Sequence, residues 1–178
     1  MKPILRSARR LFGAALLSVA ASGAAYGATQ GTLGSTSTGT LDITLTIPNL
    51  VQITNINDIA LGTWGGGAMS GSDNVCVFST TRAYRITASG NGTGGAFTLA
   101  SGANTIPYTV EWDDVSGATT GTLLTSGTAL TGQTTSAITT NCGGGTNATV
   151  IVRVSSTALS GAPVGAYTGT LTLVVTPE

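Results

Sequence analysis

Histidine is absent from all 178 residues. Its absence removes Ser–His–Asp and Cys–His nucleophile arrangements, imidazole metal ligands and the commonest general base. Lysine occurs only at Lys2, so Schiff-base chemistry and lysine isopeptide crosslinks have no residue to use further along the chain. Charge is scarce, at 8% of residues, and its apparent balance of seven cations against seven acids is uneven in space. Four cations (Lys2, Arg6, Arg9, Arg10) lie in the first ten residues. The remaining Arg82, Arg85 and Arg153 face seven acids, giving 3 − 7 = −4. Such a remainder has no electrostatic footprint for nucleic acid or anionic lipid. The composition argues against an enzyme and supplies no metal or cofactor site.

The longest apolar run, Leu11–Ala21, follows that basic cluster. Charged start, short apolar core and the small residues around Ala25-Tyr26-Gly27 make residues 1–27 read as a secretory signal peptide. Cleavage is placed after Gly27, with Ala25 and Ala28 as alternatives. The run is too short for a transmembrane anchor, which needs about 20 apolar residues. No later segment reads as a membrane span, so the mature chain of 178 − 27 = 151 residues is expected to be exported.

Only two cysteines are present, Cys76 and Cys142, 66 positions apart. The spacing is not that of a thioredoxin-like pair, and no histidine is available to complete a metal site. In an exported chain the simplest reading is a Cys76–Cys142 disulfide.

What is abundant is threonine and glycine: 33 Thr and 23 Gly in residues 28–178. Threonine suits a pleated surface, glycine marks turns, and both are poor helix formers. No ten-residue window carries a helical apolar stripe. Short alternating runs separated by Gly, Asn, Ser or Asp predict an all-β sandwich or barrel of roughly nine strands. After a small, polar segment (residues 29–39), the cleanest period-two run is Leu41–Ile47, with Leu41, Ile43, Leu45 and Ile47 on one face. Further strands are predicted over Leu50–Ile56, Ile59–Trp64, Val75–Phe78, Tyr84–Ala88, Ala96–Leu99, Ile106–Trp112, Ser136–Thr140, Ala148–Val154 and Ala166–Val175. Leu123–Leu130 is expected to pair across a turn at Thr125–Thr128. Pro107 is expected at a strand start or an edge.

Few residues invite a chemical role. Glu111, Asp113 and Asp114 alternate between faces of a regular strand, so they read as a turn and its flank rather than an acid/base or calcium site. Gly65–Gly67 and Gly143–Gly145 have no helix after them, as a phosphate loop would. Asn91-Gly92-Thr93 and Asn147-Ala148-Thr149 match the glycosylation pattern, as chance allows in so Asn- and Thr-rich a chain. Trp64, Trp112, Tyr84, Tyr108 and Tyr167 are either core residues or a sugar-binding surface, the alternation favouring core. Leu41–Ile47 is either the first strand of its own domain or a strand inserted into a neighbouring molecule. Pattern alone leaves both open and leans to the first.

Over most of residues 28–178 the chain resembles chaperone–usher pilus subunits, of the colonisation-factor fimbrial type and of the spore coat protein U family, which includes archaic pilins. Three stretches carry the likeness: Leu41–Pro48 with Leu50-Val51-Gln52-Ile53; Ile106–Trp112; and Ala162–Val175, with its Gly, aromatic, then Leu-x-Leu-Val ending. The resemblance implies an incomplete immunoglobulin-like β-sandwich, completed by a donor strand. Residues 1–27 are then the signal peptide, 28–48 the N-terminal arm and donor strand, and 49–178 the pilin domain. The donor residues are Leu41, Ile43, Leu45 and Ile47. The groove and closing strand carry Gly165, Tyr167, Leu171, Leu173 and Val175. Implied partners are identical or related pilin subunits, a periplasmic chaperone and an outer-membrane usher. The implied role is a structural, shaft-type subunit of a bacterial surface fimbria, supporting adhesion or biofilm. One departure is Pro177, where better-known pilins carry a penultimate tyrosine. The competing reading is a self-contained secreted β-sandwich, either a sugar-binding module or a coat protein.

Overall fold

The computed structural model describes residues 27–178 and divides the chain into two units, one ending at Leu45 and the other spanning Thr46–Glu178. The leader reading falls outside the described residues except for Gly27. In the first unit, Thr29 and Thr40 exchange both backbone hydrogen bonds, at 2.9 and 3.0 Å, and close a small polar loop.

The second unit is nearly all β. Its strands are β1 (Val51–Thr54), β2 (Met69–Ser79), β3 (Ala83–Gly90), β4 (Thr98–Ser101), β5 (Asn104–Pro107), β6 (Thr109–Asp113), β7 (Thr122–Leu123), β8 (Ala129–Thr134), β9 (Ala148–Val154) and β10 (Leu171–Pro177). One short helix of five residues was not foreseen: α1 (Ser156–Ser160), capped by the Ser155 hydroxyl accepting from Ala158 N. Every strand pairing is antiparallel. The order is β1-β2-β9-β6-β7 in one sheet and β10-β3-β8 in the other, with β4-β5 as a separate hairpin.

The two larger sheets enclose the core as an all-β sandwich. On β2 the core side holds Val75 and Val77; on β3, Tyr84, Ile86 and Ala88; on β6, Val110 and Trp112; on β9, Ala148, Val150, Val152 and Val154. These alternate residues face inward because successive strand side chains point to opposite faces. Trp112 and Tyr84 join the sheets: their rings meet edge to face at 6.3 Å, and Trp112 Nε1 donates to the Tyr84 hydroxyl at 3.2 Å. Burial pushes the Tyr84 phenol well above its usual range, so it stays neutral. Trp112, Tyr84 and Tyr108 are therefore core residues, as the alternation indicates.

Several strand assignments need correction. Ile59–Trp64 and Ser136–Thr140 form no ladder. Leu123 and Leu130 do not belong to one hairpin, since β7 pairs with β6 and β8 with β3; only the turn bond from Thr128 N to Thr125 O is formed. Ile106–Trp112 breaks at Tyr108: β5 pairs with β4, and β6 with β9. Pro107 ends β5, where a missing donor is tolerated. A bulge between Tyr84 and Ile86 interrupts the β3–β8 register, and Gly132 takes the positive φ of 72° that the extra residue requires.

Cys76 and Cys142 form a disulfide with an S–S distance of 2.01 Å. It ties the stretch before β9 to β2. Beside it, Asn147 extends the sheet with its side chain. Its Oδ1 accepts from Val77 N at 2.8 Å, and its Nδ2 donates to Val77 O and to Thr135 Oγ1, each at 2.8 Å. Asn147→Ala leaves the fully buried Val77 N without its partner, while Val77 O keeps the Thr135 hydroxyl that donates to it at 2.6 Å. We expect the variant to lose about 1–3 kcal/mol, measured by urea denaturation.

Polar side chains also pin residues 114–121 over the outer face of the five-stranded sheet. Gly117 N donates to Asn74 Oδ1 at 2.9 Å, Ala118 N to Thr149 Oγ1 at 3.2 Å, and Gly121 N to Glu111 Oε2 at 3.1 Å. Arg153 pairs with Glu111 (Nε to Oε1, 2.8 Å) and donates through Nη2 to Thr119 O at 2.6 Å. The Arg153 hydrogen bond holds the Glu111 carboxyl below its ordinary range. Stability from a depressed carboxylate is present above its unfolded pKa and lost as pH falls through the folded value. Glu111→Gln is therefore expected to destabilise the chain at neutral pH, and the gap from wild type to close in acid. Denaturation curves at the two pH values check it.

Candidate functional site

The sandwich is incompletely closed along one side. β1 lies against β10 at one end. At Asn55, in the left-handed region at φ 60°, the chain leaves the β2 ladder. Asparagine tolerates this conformation better than most residues. Residues 55–64 then continue without a ladder partner. Two side-chain contacts hold them in place. Asn57 donates its backbone N and its Nδ2 to the Asp73 carboxylate at 2.7 and 3.1 Å, and Asn55 Nδ2 donates to Gly145 O at 2.7 Å. Ile59 and Leu61 pack down onto β2 where Gly71 makes room: a Cβ there would meet Ile59 Cγ2 at 2.5 Å and Leu61 Cδ2 at 3.1 Å.

Between this lip and the closing segment 165–173 lies an open groove. It has a narrower part of about 250 Å³ and a broader part of about 740 Å³, which share Asp58, Ile59, Leu61, Leu99 and Gly169 as walls. The narrower part is floored by Tyr108, Val150 and Val152 and flanked by Leu171 and Leu173. The broader part is lined by Trp64, Met69, Ile106, Val154, Leu159 and Tyr167. Among the described residues β10 pairs with β3 on one side only, and its other edge has no ladder partner. The groove thus offers both requirements of an added strand: a backbone edge for hydrogen bonds and apolar recesses for alternate side chains. Among the described residues, Asp58 and Asp73 are its charged lining residues, and no Lys or Arg joins them. Burial pushes the Tyr108 phenol up, keeping the floor neutral.

The residues singled out from sequence are placed as follows. Gly165, Tyr167, Leu171 and Leu173 line the groove. Gly165 sits where a Cβ would meet Ser101 Oγ at 2.6 Å. Val175 packs on the core without lining the groove. The ladder of the closing strand starts at Leu171 rather than Ala166; upstream, Thr168 instead bridges to Ala100. Leu41, Ile43, Leu45 and Ile47 are exposed by 69%, 88%, 86% and 70%, and none belongs to a strand. Sequence reasoning missed the lip and its Asn57–Asp73 clamp. The signal was available in Ile59 and Leu61, which alternate like a strand but follow the polar break Asn55–Asp58.

Among the described residues, no group of three or more acid, cysteine or histidine side chains is placed to hold a metal. Among them, too, no helix is long and apolar enough to cross a membrane. No family model and no curated protein matches the chain. Among solved structures it is similar to one from a chaperone–tip adhesin complex of CFA/I fimbriae biogenesis. The two are 19% identical with a TM-score of 0.48; the match covers 73% of this chain and 41% of that one. The likeness therefore spans about two-fifths of that protein's chain.

Proposed function

We propose that the chain is a structural subunit of a bacterial surface fimbria, assembled by donor-strand exchange. The observation that carries this reading is an open apolar groove along the free edge of β10, in a chain whose own Leu41–Ile47 is exposed and alternates apolar and polar. In this reading the domain is an immunoglobulin-like sandwich short of one strand. A periplasmic chaperone fills the groove first, an outer-membrane usher receives the subunit, and the arm of another copy replaces the chaperone's strand. The fibre stands at the cell surface and serves adhesion or biofilm. The formed disulfide suits an oxidising, extracytoplasmic route.

We also read the chain as non-catalytic. Several of its acids have structural partners: Glu111 holds Arg153, Asp73 holds Asn57, and Asp114 accepts from Thr134 N and Oγ1 at 2.9 and 2.7 Å. Co-expression in a bacterial periplasm with a cognate chaperone and usher tests the proposal. Electron microscopy should reveal surface fibres containing the chain. A secreted, stable monomer under those conditions would support the self-contained sandwich instead.

A further inference from the structure

We propose that the cleft on the outer face of the five-stranded sheet binds a neutral, polyhydroxylated ligand the size of one sugar ring. The cleft measures about 250 Å³ and lies between β2 and residues 117–119. That volume is just under the range of pockets for drug-sized molecules, about 300–1,000 Å³. None of its lining residues lines the groove, so a strand filling the groove does not occupy it.

The cleft is built from alternate, outward positions of neighbouring strands. Ser70 stands opposite Arg153, Ser72 opposite Ile151, and Asn74 opposite Thr149 in the β2–β9 register. Ile151 is 97% buried beneath the cleft, so the surface a ligand meets is mainly the polar one of the serines, Asn74 and the loop. The far wall is the pinned loop, with Ala118 and Thr119. Its position is fixed by Asn74, Thr149, Glu111 and Arg153 rather than by apolar packing.

The polar groups decide the ligand class. Asn74 Oδ1 is engaged by Gly117 N and Thr149 Oγ1, while its Nδ2 donates to no described residue. The Ser70 and Ser72 hydroxyls likewise bond no described residue and can each donate and accept. The charged residue in the lining, Arg153, is already neutralised by Glu111 through Nε–Oε1 and Nη2–Oε2 contacts of 2.8 and 3.3 Å. With its charge balanced by Glu111, Arg153 gives the cleft no net charge with which to hold an anion or a cation. Adjacent hydroxyls, which donate and accept in turn, suit the serines and the amide without displacing the ion pair.

Saturation-transfer NMR on the assembled, full-length exported chain tests this, because large assemblies transfer magnetisation efficiently to small ligands. Galactose, mannose and N-acetylglucosamine are the probes, with acetate and choline as charged controls. At least one sugar should receive saturation, and neither control should. Ser72→Val and Ser70→Val, both acceptable on an exposed strand face, should each weaken that sugar by about threefold to tenfold, the worth of a hydrogen bond or so. Thr172→Val on β10 should leave it unchanged. The proposal is overturned if no sugar responds, if acetate or choline responds as strongly, or if the signal survives both serine variants. Fibre assembly is read separately by microscopy, so failure of this site and failure of the fimbrial reading are distinguishable.

Discussion

Ile43→Asp should abolish polymer formation, whereas Thr44→Asp should leave it intact. Ile43 belongs to the face of Leu41–Ile47 that would enter the groove, and Thr44 to the opposite face. Burying an aliphatic side chain of this size contributes about 1.5–3 kcal/mol. Aspartate forfeits that contribution and adds the cost of desolvating a carboxylate, several kcal/mol when no cation is at hand. Among the described residues the groove offers none: it already contains Asp58 and Asp73 and is lined by no Lys or Arg. The combined penalty is enough to remove an interaction built on four side chains. Thr44→Asp keeps its charge in water and should shift stability by no more than about 0.5 kcal/mol. Neither change touches the core of the sandwich, so both variants should form the Cys76–Cys142 bond and bind a chaperone's strand. Electron microscopy together with sedimentation separates polymer from subunit for each.

The second large effect is expected from the disulfide. Replacing Cys76 and Cys142 together by alanine opens a loop of 66 residues. On the chain-entropy estimate this costs about 4 kcal/mol, a large share of the roughly 5–15 kcal/mol by which domains are stable. The bond also anchors the stretch that leads to Asn147, whose side chain accepts from Val77 N and donates to Val77 O. We expect a large fall in the denaturation midpoint and susceptibility to proteolysis within residues 136–147. An unchanged midpoint would place the stability elsewhere. Reduction of the wild-type chain should reproduce the double variant.

Period-two alternation proved informative about faces and uninformative about partners. Ile106, Tyr108, Val110 and Trp112 all lie in the core, as their spacing indicates, yet the ladder changes sheets at Tyr108. One inward face serves either partner, so nothing in the alternation marks the switch. The same ambiguity made Ile59–Trp64 read as a strand: Ile59 and Leu61 do pack on the core, but their backbone joins no ladder. β9 was legible throughout, because Val150-Ile151-Val152 is a continuous apolar run and the strand is buried on both faces. What covers its outer face was not legible, since the polar loop is held by single hydrogen bonds that leave no periodic trace. α1, at five residues, is too short to carry a helical period. In the groove, the closing segment was readable from Tyr167, Leu171 and Leu173. The facing lip was not, because its place depends on the Asn57–Asp73 clamp and on space left by Gly71.

The central claim is that the arm of one copy fills the groove of another. Solid-state NMR on fibres grown from two populations tests it most directly, one population isotope-labelled only at isoleucine and the other only at leucine. Cross-peaks between the two labels then arise only between molecules. The account predicts contacts from Ile43 to the groove leucines Leu171 and Leu173. Fibres in which Ile43 shows no intermolecular contact with those leucines would contradict it.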